Sequence, residues 1–120
     1  MSEPSSKRFF EAIATKANKS NKGMRIMREW IGSYDGKVIQ FLTDTEKFYL
    51  VISAEKMKVR DGEYPSPDLT FKGASKLVSD VFTGKIRIGD AMRNWELVLI
   101  GAGHEGFALE KLVTTLMAEA

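Results

Sequence analysis

Between Asp68 and Met117 the residues follow an order that few folds accommodate. A short alternating segment (DLTFK) precedes an apolar helical stretch (ASKLVSDVF), a TGK turn and a second strand-like run (WELVLIG). A glycine-rich turn (GAGHEG) then leads into a closing apolar helix (FALEKLVTTLM). Gly101, Gly103 and Gly106 spell GxGxxG between strand and helix, the local setting of a dinucleotide-binding turn. That fingerprint also needs a further strand and an acidic residue ~20 positions on. Only residues 107–120 follow, and one helix uses them, so no adenosine half-site is expected there. The glycines are read instead as allowing a tight reversal at Gly101 and Gly103 and a close approach of helix to sheet at Gly106. Free amides at the helix start, around Gly103 and His104, offer a place for a phosphate or carboxylate head group.

Composition narrows the chemistry. The chain contains no cysteine, which removes disulfides, thiolate catalysis and thiolate metal sites. His104 is the sole histidine, too few for a zinc site built on imidazoles, and it has no orienting partner nearby in sequence. Asp44, Asp61, Asp68, Asp80 and Asp90 are scattered through turns and helix faces, with no acid–base pairing among them. No catalytic residue, metal or cofactor is therefore expected.

The 120 residues are expected to form one domain, 1–120. With 43% hydrophobic and 28% charged residues the chain is ordinary globular material. The longest apolar run, Leu97 to Ile100, is far short of the ~18 residues of a membrane span. No stretch at the N-terminus has signal-peptide length, so the expected compartment is the cytoplasm. A net charge of +2 is too small to argue for nucleic acid. Within residues 1–30, however, Lys7, Arg8, Lys16, Lys19, Lys22, Arg25 and Arg28 outnumber Glu3, Glu11 and Glu29. That bias can draw a leading helix toward an anionic membrane surface, principally through Lys7, Arg8, Lys16, Lys19 and Lys22.

After a loose tail (residues 1–6), Phe9, Phe10, Ile13, Ala14 and Ala17 recur at helical spacing up to about Lys19. A second amphipathic helix is expected over 24–31, ended by Gly32. Val38–Leu42 and Phe48–Ser53 flank a polar TDTE turn and read as a hairpin, with a weaker third strand over 57–60. The prolines of YPSP exclude a central strand and suit an edge connection. A fourth strand at 69–71, a helix over 74–82, a short irregular segment near Ile86–Met92, a fifth strand at 95–100 and a helix over 104–118 complete the chain. This is an α+β pattern: a five-stranded, mostly antiparallel sheet with helices gathered on one face.

The order PDLTFKGASKLVSDVFTGK, then RNWELVLIGAG, then an apolar terminal helix resembles the sterol carrier, or non-specific lipid-transfer, family. Pro67–Lys72 stands where that family has its "aDxTxxx" strand, Thr83–Lys85 its TGK-like turn, and Glu96–Gly101 its "GKLxIxG" strand. The match runs over 67–112, and the first 66 residues agree in outline only. The resemblance implies helices enclosing an apolar tunnel against the sheet, and ligands such as sterols, fatty acids and acyl-CoA esters. The lining it implies is Phe41, Phe48, Leu50, Leu69, Phe71, Leu77, Val81, Phe82, Met92, Leu97 and Leu99, closed by Phe107, Leu109, Leu112, Val113 and Leu116. Arg87, Asp90 and Arg93 depart from the more apolar helix the family often has there, and the ending MAEA is not the peroxisomal Ser-Lys-Leu of some relatives.

Each of these apolar residues would serve equally well as plain core. An empty void costs ~24 cal/mol per Å³. A ligand-sized space of ~300 Å³ would thus cost about 7 kcal/mol, comparable with the stability of a small domain. A tunnel in this chain must be occupied, collapsible or lined by adaptable side chains, a role that Met24, Met27, Met92 and Met117 suit. The expected function is lipid binding or transfer without catalysis. The competing reading is an accessory or homodimerisation module, because Tyr49, Val51, Val98 and Ile100 fall on the sheet face away from the helices.

Overall fold

Two serines start the helical half of the molecule. Ser5 and Ser20 stand in extended backbone, and their side chains accept from the amides of Arg8 (3.2 Å) and Gly23 (2.9 Å). They are N-caps of α1 (Ser6–Ala17) and α2 (Asn21–Ile31) in the computed structural model, which describes residues 5–119. Most of the expected tail, residues 1–4, lies outside the described residues. The first helix stops at Ala17, two residues early, because Asn18 leaves it to clamp a strand. Its amide donates to the Met57 carbonyl (3.0 Å) and its side-chain oxygen accepts from the Met57 amide (2.8 Å).

The strands are β1 (Lys37–Leu42), β2 (Lys47–Ile52), β3 (Met57–Asp61), β4 (Leu69–Lys72) and β5 (Val98–Gly101), in the spatial order β3-β2-β1-β4-β5. Three pairings are antiparallel, and β1 with β4 is parallel. α3 (Ser75–Phe82), α4 (Ile88–Arg93) and α5 (His104–Ala118) complete the α+β architecture. The period-2 alternation sends Ile39, Phe41, Phe48, Leu50, Ile52, Leu69 and Phe71 to one face, where each is fully buried. In register, Phe48 lies opposite Phe41 and Phe41 beside Phe71, so three rings run across β2, β1 and β4. α1, α3 and α5 cover that face: Phe10 and Phe82 pack on the rings, and Gly106 stands over Phe71.

Two expectations change. YPSP is no edge connection. With β3 at one end of the sheet, the chain must recross β2 and β1 to reach β4. It does so over the outer face, where the Tyr64 amide donates to Gln40 Oε1 (2.6 Å) and the Tyr64 ring sits 5.3 Å from that of Tyr49. The fifth strand begins at Val98, not Trp95. Trp95 has φ +60°, and the amides of Glu96 and Leu97 both donate to the Ala91 carbonyl, a tight turn that extended backbone cannot make.

Candidate functional site

Most of the residues expected to line a tunnel are buried between the sheet and its helices. The Phe41 ring stacks between Phe48 (4.9 Å, 11°) and Phe71 (5.1 Å, 8°), with Phe10 at 4.7 Å on a third side. Phe82 closes the cluster edge-on, 5.1 Å from Phe10 and 5.5 Å from Phe71. Leu109, Leu112, Val113 and Leu116, the face of α5 turned to the sheet, are fully buried. A Cβ on Gly106 would stand 3.0 Å from Phe71 Cζ and 3.3 Å from Leu69 Cδ2, so α5 rests directly on β4.

Clefts of about 680, 350, 230 and 310 Å³ open on the described surface, and none of these four is lined by any residue of the expected set. Between α5 and the sheet, Leu69, Phe71, Leu109, Leu112, Val113 and Leu116 are each fully buried. Leu99 is half-buried, while Phe107 (54% exposed) and Met92 (37%) point to solvent. The α5 residues that face the sheet are 105, 106, 109, 112, 113 and 116, which places 107 on the opposite side of the helix. In α4, Ile88 and Ala91 face inward and leave Met92 outside.

The start of α5, where the sequence offered free amides around Gly103 and His104, is held by its own backbone one residue further on. The amides of Glu105 and Gly106 already donate to the carbonyls of Ala102 and Gly103, both at 3.0 Å. Beside them sits a carboxylate that sequence reasoning passed over. Glu105 is only 3% exposed, pairs through Oε2 with Lys37 Nζ, and accepts from Trp30 Nε1 at 3.2 Å. His104 Nε2 lies 3.3 Å from the same Oε1, with its own ring largely in solvent. A negative side chain near a helix N-terminus is favoured by the helix dipole, and here it would repel an acidic head group. The cluster joins the end of α2, the start of β1 and the start of α5 through one carboxylate.

The scattered aspartates are all engaged. Asp44 Oδ1 accepts from the Ser75 amide (2.8 Å) at the start of α3, and Asp68 Oδ2 from Val38 (2.7 Å). Asp61 pairs with Lys7 (2.6 Å), Asp80 with Lys76 (3.1 Å) and Asp90 with Arg93. The Asp61 carboxylate raises the pKa of Lys7, and Lys56 and Arg60 lower that of Lys58. Among the described residues no group of three acidic or histidine side chains could hold a metal ion, and no helix is long and apolar enough to cross a membrane.

No family model and no curated protein sequence matches the chain. Solved structures do. A UbiJ-SCP2 ubiquinone synthesis protein superposes with a TM-score of 0.72 at 15% identity, over 88% of this chain and 90% of that one. The apo form of sterol carrier protein 2 from Yarrowia lipolytica gives 0.64 at 13% identity, over 92% and 91%. This is the sterol carrier protein 2 fold. A third likeness is to the sec-alkylsulfatase Pisa1 from Pseudomonas sp., with TM-score 0.62 and 14% identity over 76% of this chain. That match takes up 14% of the enzyme's length, so the sterol carrier protein 2 fold also stands as a small part of a larger chain.

Proposed function

We propose that this chain is a non-catalytic lipid-binding or lipid-transfer domain, taking a sterol, fatty acid, acyl-CoA or similar apolar ligand between α5 and the sheet. The observation that carries the reading is the all-apolar layer of Phe71, Leu69, Leu109, Leu112, Val113 and Leu116 under a helix seated on a glycine, in a fold that sterol carrier proteins share. A closed interior is what the energetics ask of the ligand-free state, since a void of ~300 Å³ would cost about 7 kcal/mol. Uptake then means that α5 shifts and the ligand replaces contacts that the side chains make with each other.

Burying ~14 methylenes at ~0.8 kcal/mol each yields about 11 kcal/mol from water. A lipid already in a bilayer has gained most of that, so extraction is nearly neutral, which suits a carrier and not a tight store. The engagement of every aspartate of the expected set in a backbone hydrogen bond or an ion pair supports a role without catalysis. A cytoplasmic setting and contact with anionic membranes through the basic side chains of α1, α2 and the turn between them belong to the same reading. Lys7 pairs with Asp61 and Lys16 donates to the Leu116 carbonyl, which leaves Arg8, Lys19 and Lys22 exposed for that contact. Organic extraction of the purified protein with lipid mass spectrometry, together with titration of a fluorescent fatty acid, tests the proposal. Neither co-purified lipid nor a probe response would refute it.

An accessory or homodimerising module is the second reading. It is favoured by Val98 and Ile100, 38% and 52% exposed on the outer face of edge strand β5, and by the occurrence of the fold within a larger enzyme. Light scattering at high concentration distinguishes it: a strict monomer argues against the homodimer.

A further inference from the structure

Trp95 is the one described residue other than glycine with a positive φ, and its side chain is 83% exposed. Both features work against the fold. A left-handed backbone is unfavourable for any residue with a Cβ, and a bare indole is the largest apolar surface a side chain can leave in water. The turn is held by backbone hydrogen bonds that do not call on the indole. The Trp95 amide donates to the Met92 carbonyl (3.1 Å), and Ile88, Ala91 and Leu97 fill the core beneath.

Met92, 37% exposed three residues earlier, adds a second, flexible apolar chain to the segment. Lys85, Arg87 and Arg93 are exposed in the same segment, against Glu96 and an Asp90 that is paired to Arg93. The guanidinium-bearing Arg87 and Arg93 line one cleft of about 350 Å³, together with Ile88, Gly89, Asp90 and Glu110.

We propose that this turn is a bilayer-docking tip: Trp95 and Met92 enter the boundary between head groups and acyl chains, and Lys85 and Arg87 lie among anionic head groups. Tryptophan favours that boundary because its ring is apolar and its N–H is not. A folded protein partner fits less well. A stable interface buries ~800 Å² on each side, spread over ~20–30 residues, whereas in the segment 85–97 the exposed large apolar side chains are those of Met92 and Trp95. An isolated ring at a turn suits a deformable surface that needs no matching shape. With a net of one positive charge in the segment, docking leans on the indole and only secondarily on salt-sensitive attraction. The inference adds a partner surface to the lipid-carrier reading and rests on it for its biological sense.

The test uses the full chain, with co-sedimentation on phosphatidylcholine–phosphatidylserine vesicles and quenching of tryptophan emission by lipids brominated in their acyl chains. Wild-type protein is expected to co-sediment and to be quenched. Trp95→Gly, which relieves the backbone and so keeps the fold, should lose binding by at least about fivefold while its melting temperature rises. Wild-type protein that ignores vesicles, or Trp95→Gly that binds them equally, overturns the proposal. So does a variant with Arg8, Lys19 and Lys22 all changed to Glu that loses binding when Trp95→Gly does not. Titration of a soluble fluorescent fatty acid without vesicles separates the two claims. A Trp95→Gly protein that takes the probe and not the vesicle supports both, and wild-type protein that binds vesicles but no probe sinks the carrier reading alone.

Discussion

Glu105 illustrates what one side chain can tie together. It is almost wholly out of water, paired with a Lys37 whose own side chain is 12% exposed, and bonded to the Trp30 indole. Removing one member of a buried ion pair leaves the other without compensation, at about 3–5 kcal/mol. Glu105→Ala is accordingly expected to lose about 3 kcal/mol of stability in denaturant unfolding, and a loss under ~0.5 kcal/mol would show the pair to be idle. The local sequence carries one hint of it, an acidic residue in the first turn of a helix. Its partners, 68 and 75 positions earlier, were invisible. Gly106 was legible, because a glycine in a helix start facing apolar strands signals close approach. Gly106→Ala should cost about 1–3 kcal/mol through overpacking against Phe71 Cζ at 3.0 Å. The Trp95 strain was not legible, since no local rule puts a tryptophan in left-handed backbone. Trp95→Gly should gain about 1 kcal/mol in the same assay.

At the scale of elements, the turn between β1 and β2 organises two helices. Asp44 caps α3 through the Ser75 amide, and Glu46 accepts from the amide of Lys7 and the hydroxyl of Ser75. Those carboxylates read from sequence as solvated turn residues because capping partners 29 to 39 positions away leave no local trace. Asp44→Ala should destabilise by about 1 kcal/mol, as loss of an N-cap does. The ion pair between α1 and β3 adds a dependence on pH. Asp61 raises Lys7 above its ordinary 10.5, so the pair's contribution is present below that value and fades as pH climbs through the raised one. Asp61→Asn is expected to flatten that alkaline decline in unfolding experiments, though weakly, because Asp61 is exposed to solvent.

Alternation and helical spacing made the inner faces of β1, β2 and β4 readable, together with the sheet-facing stripe of α5. Strand order was not readable. The parallel pairing of β1 with β4 joins segments about 30 residues apart, and it is this pairing that carries YPSP across the outer face. The two sheet edges also differ. β3 is guarded by the cations Lys58 and Arg60, whereas β5 presents Val98 and Ile100, where self-association would begin.

For the molecule as a whole, the resemblance read from residues 67–112 anticipated the fold, and the stability of a small domain limits how that fold can house a ligand. A domain of this size has a stability of about 5–15 kcal/mol, so a standing cavity of ligand size would consume much of it. Aromatic stacking among Phe10, Phe41, Phe48, Phe71 and Phe82 fixes the half of the core under α1 and α3. The half under α5 sets the aliphatic Leu69, Leu109, Leu112, Val113 and Leu116 against Phe71, and it is the seam where the proposed ligand would enter. The central claim concerns that seam. Palmitate titrated into delipidated, isotope-labelled protein and followed by heteronuclear NMR tests it most directly. The account predicts saturable shifts centred on Leu69, Phe71, Leu109, Leu112 and Leu116, and shifts confined to the surface clefts, or none, would contradict it.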